Sequence, residues 1–178
     1  MENIARHHKP QNFSDRVALT FTKFLRLLAD TFFKKKYGHR AVVLETVAAV
    51  PGMVAGMLLH LKSLRKMQDD RGWIKILLDE AENERMHLMT FIQIAKPTFI
   101  ERIIIMMAQF IFILMYLIIY LLSQRTAHRI VGYFEEEAVI SYTEYLKEIE
   151  EGKIENIKAP EIAINYWNLP LNSKLKDV

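Results

Sequence analysis

The sequence predicts an all-α fold. Three observations carry this reading. Apolar residues recur every three to four positions along five long segments, and no segment alternates apolar and polar residues as a half-buried strand does. The 6 Gly and 5 Pro fall mostly at the ends of those segments. With 178 residues, 51% hydrophobic and 25% charged, the chain fits one ordinary domain and is too apolar for a disordered one. No internal repeat or low-complexity linker divides it, so it reads as a loop over 1–12 and one domain over 13–178.

Residues 1–12 are polar; they show neither the apolar core of a secretory signal nor the Arg/Ser-rich character of a transit peptide. Residues 13–36 read as a helix, because Phe13, Val17, Phe21, Phe24, Leu28 and Phe32 recur at i+3 and i+4. Arg16, Lys23, Arg26 and Lys34 project from the flank away from that stripe. A basic amphipathic helix of this kind fits a membrane interface, and fits packing on its own core equally well. Residues 41–66 read as a second helix, with a kink expected at Pro51. Residues 73–95, 99–122 and 125–151 read as the third, fourth and fifth, the last ended by Gly152. Residues 152–178 look irregular, with Pro160 and Pro170 as breakers.

From Ile103 to Leu122 the one clearly polar side chain is Gln109. That is roughly the length that crosses a bilayer. Hydropathy alone favours a spanning helix over one sunk in a single leaflet or buried in a dimer interface. The net charge of +3 hides a gradient: residues 1–40 carry nine Lys/Arg against three acids, and residues 134–161 carry nine acids against three Lys. A basic start points to an anionic partner, either nucleic acid or a membrane. Cysteine is absent, which excludes a disulfide framework, Cys-ligated zinc and a thiolate nucleophile in this chain. Any metal has to sit on Glu, Asp or His.

The informative residues are polar groups on apolar faces. On the third helix Leu77, Ala81, Glu84, Leu88, Phe91 and Ala95 form one stripe with Glu84 in its middle, and His87 follows one turn on. A lone carboxylate there is costly to bury unless something compensates it. Glu84-x-x-His87 is the one Glu-x-x-His in the chain. On the second helix Glu45 is the one charge between Ala41 and Leu59, and Ala48, Gly52 and Gly56 follow on its face. Small residues at that spacing admit a close helix or leave room for a ligand. On the fifth helix His128, Glu135 and Tyr142 are spaced by seven, near one line, while Glu136 reads as solvated. Three helices therefore each offer an inward carboxylate, and one adds a His at i+3. This is the ligand logic of a ferritin-like di-iron four-helix bundle, whose carboxylates and imidazoles suit iron or manganese. Glu45 and Glu135 are its single carboxylates and Glu84 and His87 one Glu-x-x-His; the second Glu-x-x-His is absent from these residues.

The chain resembles the alternative oxidases, membrane-bound non-haem di-iron quinol oxidases. The resemblance runs from about Asp15 to Val178. It rests on Leu44-Glu45-Thr46-Val47-Ala48-Ala49-Val50-Pro51-Gly52-Met53, on Asn83-Glu84-Arg85-Met86-His87-Leu88, and on Glu135-Glu136-Glu137-Ala138 with Tyr142. It implies two non-haem irons, with Glu45, Glu84, His87 and Glu135 as ligands. It implies Asn83 and His128 as polar neighbours of the metals and Tyr142 as the buried tyrosine of electron transfer. Arg40, Ala41, Leu44, Glu137, Ala138 and Ser141 match positions lining a quinol pocket. It further implies ubiquinol and oxygen as substrates, no proton pumping, and a homodimer held in one leaflet on the matrix face of the mitochondrial inner membrane, or in an equivalent organelle. The first and fourth helices then dip into the membrane without spanning it, and a nucleic-acid partner falls away. In the family a last helix brings the second Glu-x-x-His after an Arg-Ala-Asp stretch. The chain stops at Lys176-Asp177-Val178, where that helix is expected, so the last bundle helix is expected to be missing and the chain to be an incomplete family domain. The rival expectations are a catalytically inactive membrane-associated helical protein and a di-iron quinone-ring hydroxylase.

Overall fold

A computed structural model describes residues 7–33 and 37–178, apart from the side chain of Phe32. Six α-helices account for most of it: α1 (Phe13–Phe33), α2 (Tyr37–Lys66), α3 (Trp73–Ala95), α4 (Phe99–Leu122), α5 (Gln124–Glu150) and α6 (Glu161–Trp167). A 3-10 turn follows at Leu175–Asp177. Among the described residues there is no strand, and the fold is all-α as expected. The expected extension of the first helix to residue 36, with Lys34, lies outside the described residues, as do residues 1–6 of the N-terminal loop.

The junctions are set by local chemistry. Before α3, Gly72 takes φ 81° and Asp70 accepts a hydrogen bond from the Ile74 N–H at 2.7 Å. Between α3 and α4, Lys96 turns the chain in the left-handed region at φ 49°, and Thr98 and Glu101 close a capping box. Ser123 ends α4 and starts α5, its hydroxyl accepting from the Thr126 N–H. Helix α2 starts at Tyr37, four residues before the expected start, and runs unbroken through Pro51.

Helix α2 is the centre of the molecule and packs against α1, α3, α4 and α5, while α1 lies along α5 and α6 on α3. Gly52 lets α2 and α3 meet: a Cβ there would fall inside contact distance of the Leu77 carbonyl oxygen and 3.0 Å from the Ala81 Cβ. One core cluster joins Val50, Val54 and Ala55 of α2 to Phe112, Tyr116 and Tyr120 of α4; a second joins Ala41 and Val42 to Phe91, Tyr145, Ile149 and Leu175.

Both α2 and α4 are long and apolar enough to cross a membrane by length and composition. Their surroundings separate them: 56% of the most apolar stretch of α2 is buried, against 17% for α4. Helix α2 is a core helix. Helix α4 buries Phe112, Tyr116 and Tyr120 and turns Ile103, Met107, Phe110, Leu114, Ile118 and Leu121 outward. On α1, Phe13, Val17, Phe24 and Leu28 of the predicted stripe face outward and Phe21 packs inward. Apolar faces of α1 and α4 are thus left uncovered, which is compatible with membrane association.

Residues 152–178 are less irregular than their breakers suggest. Pro160 starts α6, and an isolated antiparallel bridge joins Lys158 to Lys174. This brings Leu175 back onto α5.

Candidate metal centre

Glu45 lies in the third turn of α2, on the face that meets α3, and is 3% exposed. Glu84 and His87 face it from α3. Nδ1 of His87 lies 3.7 Å from Glu45 Oε2 and 3.6 Å from Glu84 Oε2. One donor atom from each of the three residues falls within 4.8 Å of the other two. From α5 the Tyr142 hydroxyl donates to Glu45 Oε1. Oε2 of Glu45 is buried without a hydrogen-bond partner. An orphaned carboxylate oxygen facing a second carboxylate and an imidazole is a donor set that fits a hard or borderline cation.

The electrostatics agree with that fit. Burial, then the neighbouring Glu84 carboxylate, push the Glu45 carboxyl well above the usual carboxylate range. Burial also pushes Glu84 up, but the neighbouring His87 imidazole and Glu45 carboxyl outweigh it and hold Glu84 below its ordinary value. Burial and the Glu45 charge raise Tyr142 well above an ordinary phenol. Glu135 stands outside the three-donor group and reaches solvent on one side. The protein around its carboxyl, with the charges of Glu84 and Glu80, still pushes it up to about 7.

The heptad line on α5 is not uniformly buried. Tyr142 reaches Glu45, but Glu135, expected to point inward, is exposed, as is His128, which lies edge-on to Tyr120 at 5.7 Å. Asn83 is half-buried beside Glu84.

An apolar cavity of about 560 Å³ opens beside the donors, within the size range of small-molecule sites. Arg40, Leu44, Glu137 and Ala138 line it, as do Glu45, Glu84, His87, Glu135 and Tyr142. Ala41 and Ser141 do not. Ala41 is buried in the packing with Phe91 and Tyr145, and Ser141 is one residue, about 100° of helix, away from Tyr142.

Several contributors carry no local sequence signal. Arg26, expected on the flank of α1 away from its apolar stripe, pairs there with Glu137 of α5. Glu136, expected to be solvated, is half-buried and accepts from the His8 N–H and His7 Nδ1, both at 3.0 Å. His7 Nε2 also lies 2.8 Å from Glu137 Oε1. The His87 ring stacks on Trp167 of α6 at 4.9 Å between centroids. These partners lie 80 or more residues apart in the chain. Glu80 alone had a signal: it stands one turn before Glu84 on the same helix face, and its carboxyl is raised by burial and by Glu84.

A family profile described as "Alternative oxidase" matches residues 1–178. The chain is 58% identical over 176 residues to "Alternative oxidase 3, mitochondrial" of Glycine max, covering 99% of this chain and 54% of that protein. It is 57% identical to "Ubiquinol oxidase 2, mitochondrial" of Arabidopsis thaliana, with 99% and 50% covered, and 56% identical to "Ubiquinol oxidase 1a, mitochondrial" of Oryza sativa subsp. japonica, with 99% and 53% covered. The chain spans about half the length of these curated relatives.

Proposed function

The chain belongs to the alternative oxidase family, and on that premise we propose that it carries the metal- and quinol-binding part of a membrane-associated ubiquinol oxidase. The carrying observation is the orphaned Glu45 Oε2, set against Glu84 and His87 at the wall of an apolar cavity. Glu45, Glu84, His87 and Glu135 are the residues that would hold two non-haem irons. The irons, when bound, supply the oxygen-binding redox centre.

The chain's own residues do the rest. The exposed apolar faces of α1 and α4 seat it in one leaflet, so that a quinol enters the cavity from the lipid. Apolar walls at Leu44 and Ala138 exclude water around the ring, while Arg40 offers a donor to a ring oxygen. Tyr142 holds its phenolic proton against Glu45 Oε1, beside the donors, where a proton and an electron are both at hand. Asn83 and His128 serve as outer polar neighbours of the site. Two quinols release four electrons and four protons, which convert one dioxygen into two waters. No proton has to cross the membrane for this balance, and the reaction is not coupled to pumping. The exposed stripe of Met53, Met57, Leu61 and Leu64 on α2 supports a second copy packing there as a homodimer. The names of the relatives support a mitochondrial setting, and the reading places the protein on the matrix face of the inner membrane.

The test is oxygen uptake by the protein in quinol-containing vesicles, with the product identified. The reading expects oxidised quinone and its loss in Glu84→Ala. Full activity in that variant removes Glu84 from the ligands, and a ring-hydroxylated product replaces the oxidase with a hydroxylase.

A further inference from the structure

Three residues of the cavity wall keep a buried polar atom without a hydrogen-bond partner: Glu45 Oε2, Arg40 Nε and Thr22 Oγ1. Glu45 faces the metal donors. Arg40 is pinned to Asp30 through Nη1 at 2.7 Å, which leaves Nε for a ligand. Thr22, on α1, has had no role so far. It is 2% exposed. A helical threonine ordinarily quiets its hydroxyl on the carbonyl four residues back. Thr31, Thr46, Thr90 and Thr143 all do so, donating to Leu27, Val42, Met86 and Val139. Thr22 does not. An unpaired buried hydroxyl keeps its full desolvation penalty until something bonds it.

The surroundings say what that something is. Thr22 stands one turn before Arg26, whose guanidinium is drawn off to Glu137, Glu144 and Asp30. The neighbouring wall, Leu25, Val47 and Phe134, has no polar side chain to offer. The two unpartnered groups outside the metal donors therefore sit on different helices, α1 and α2, in a largely apolar cavity. Arg40 Nε only donates; Thr22 donates or accepts, and a χ1 rotation exchanges its hydroxyl with its methyl.

Resting on the quinol reading above, we propose that Thr22 hydrogen-bonds an oxygen substituent of the quinol ring and sets a preference for rings that carry oxygen, rather than alkyl, groups beside the reacting hydroxyls. A site built to bond an oxygen discriminates against the analogue that lacks it, because its own polar group stays unpaired.

The test uses the whole chain, with Thr22→Val as the isosteric change and Thr22→Ser as rescue. Binding of a short-tailed dimethoxy-benzoquinone and of its trimethyl counterpart is read by quenching of tryptophan fluorescence, without turnover. Thr22→Val should weaken the dimethoxy ring about 3- to 10-fold, as for one hydrogen bond, and leave the trimethyl ring within about 2-fold. Thr22→Ser should recover the dimethoxy affinity. Melting of ligand-free Thr22→Val should match or exceed the parent, because no bond within the fold is lost. Equal weakening of both rings, no weakening of either, or a clear fall in melting temperature overturns the inference while the quinol reading stands. Failure of the unsubstituted chain to bind either quinone overturns both.

Discussion

Replacing Gly52 by Ala forces α2 and α3 apart at the point where their backbones are closest. The added methyl would stand inside contact distance of the Leu77 carbonyl oxygen and 3.0 Å from the Ala81 Cβ. Backbone cannot swing aside as a side chain can, so the helices must separate by roughly 1 Å, which forfeits a quarter to a half of each contact across the seam. Overpacking of this kind costs about 1–3 kcal/mol. At about 2–4 °C per kcal/mol for a chain of this size, the midpoint should fall by about 2–12 °C. The site lies on the same seam. Glu45 is two turns before Gly52, and Glu84 is one turn after Ala81, so the shift also pulls the donors apart. Cation affinity should fall about 10-fold or more, as when support around a metal site is lost. Gly56→Ala is the control one turn on, where the nearest atom is the flexible Leu78 Cδ2 at 3.3 Å; its cost should stay below about 1 kcal/mol. Thermal melting of the two variants, with a metal titration of each, decides the matter. Equal melting of both, or unchanged cation affinity in Gly52→Ala, would refute the claim that this close approach sets the donor geometry.

Three further outcomes are expected. Glu135 has its pKa raised from 4.5 to about 7, so between those values the folded metal-free chain binds more protons than the unfolded one. Its stability should therefore fall as pH rises from about 4.5 to 7, and Glu135→Gln should flatten that slope in urea titrations at several pH values. Cation binding at Glu135 has to displace its proton, so affinity should rise with pH across the same window; calorimetry in buffers of different ionisation enthalpy would count the protons released. His7→Ala should free residues 7–12 from Glu136 and Glu137, seen as faster cleavage before residue 12 in limited proteolysis, with stability lowered by less than about 1 kcal/mol, as for a partly exposed polar contact.

The sequence was legible where chemistry is local. The periodicity over 73–95 and 99–122 matches α3 and α4 residue for residue, because the Gly72 turn before α3 and the caps at Thr98 and Ser123 coincide with breaks in the apolar pattern. Glu45 and Glu84 stood out as carboxylates on apolar stripes, and the structure brings both to His87. What the sequence hid is non-local. Arg26 reads as a cation on the flank of α1 until α5 is placed beside it, and Glu136 as solvated until His7 and His8 cross it. Helix α6 has only seven residues, too few for a periodic signal, and its Trp167 meets His87 across 80 positions of chain. Thr22 looks like any helical threonine, since only its missing carbonyl bond marks it.

The central claim is that Glu45, Glu84 and His87, with Glu135 beside them, form a metal centre. The most direct test is iron content per chain after anaerobic loading and removal of loose metal, for the unsubstituted protein and for Glu84→Gln. The account predicts at least one tightly held iron per chain in the first and its loss in the second. Iron that is absent from the first, or retained equally by both, would contradict it.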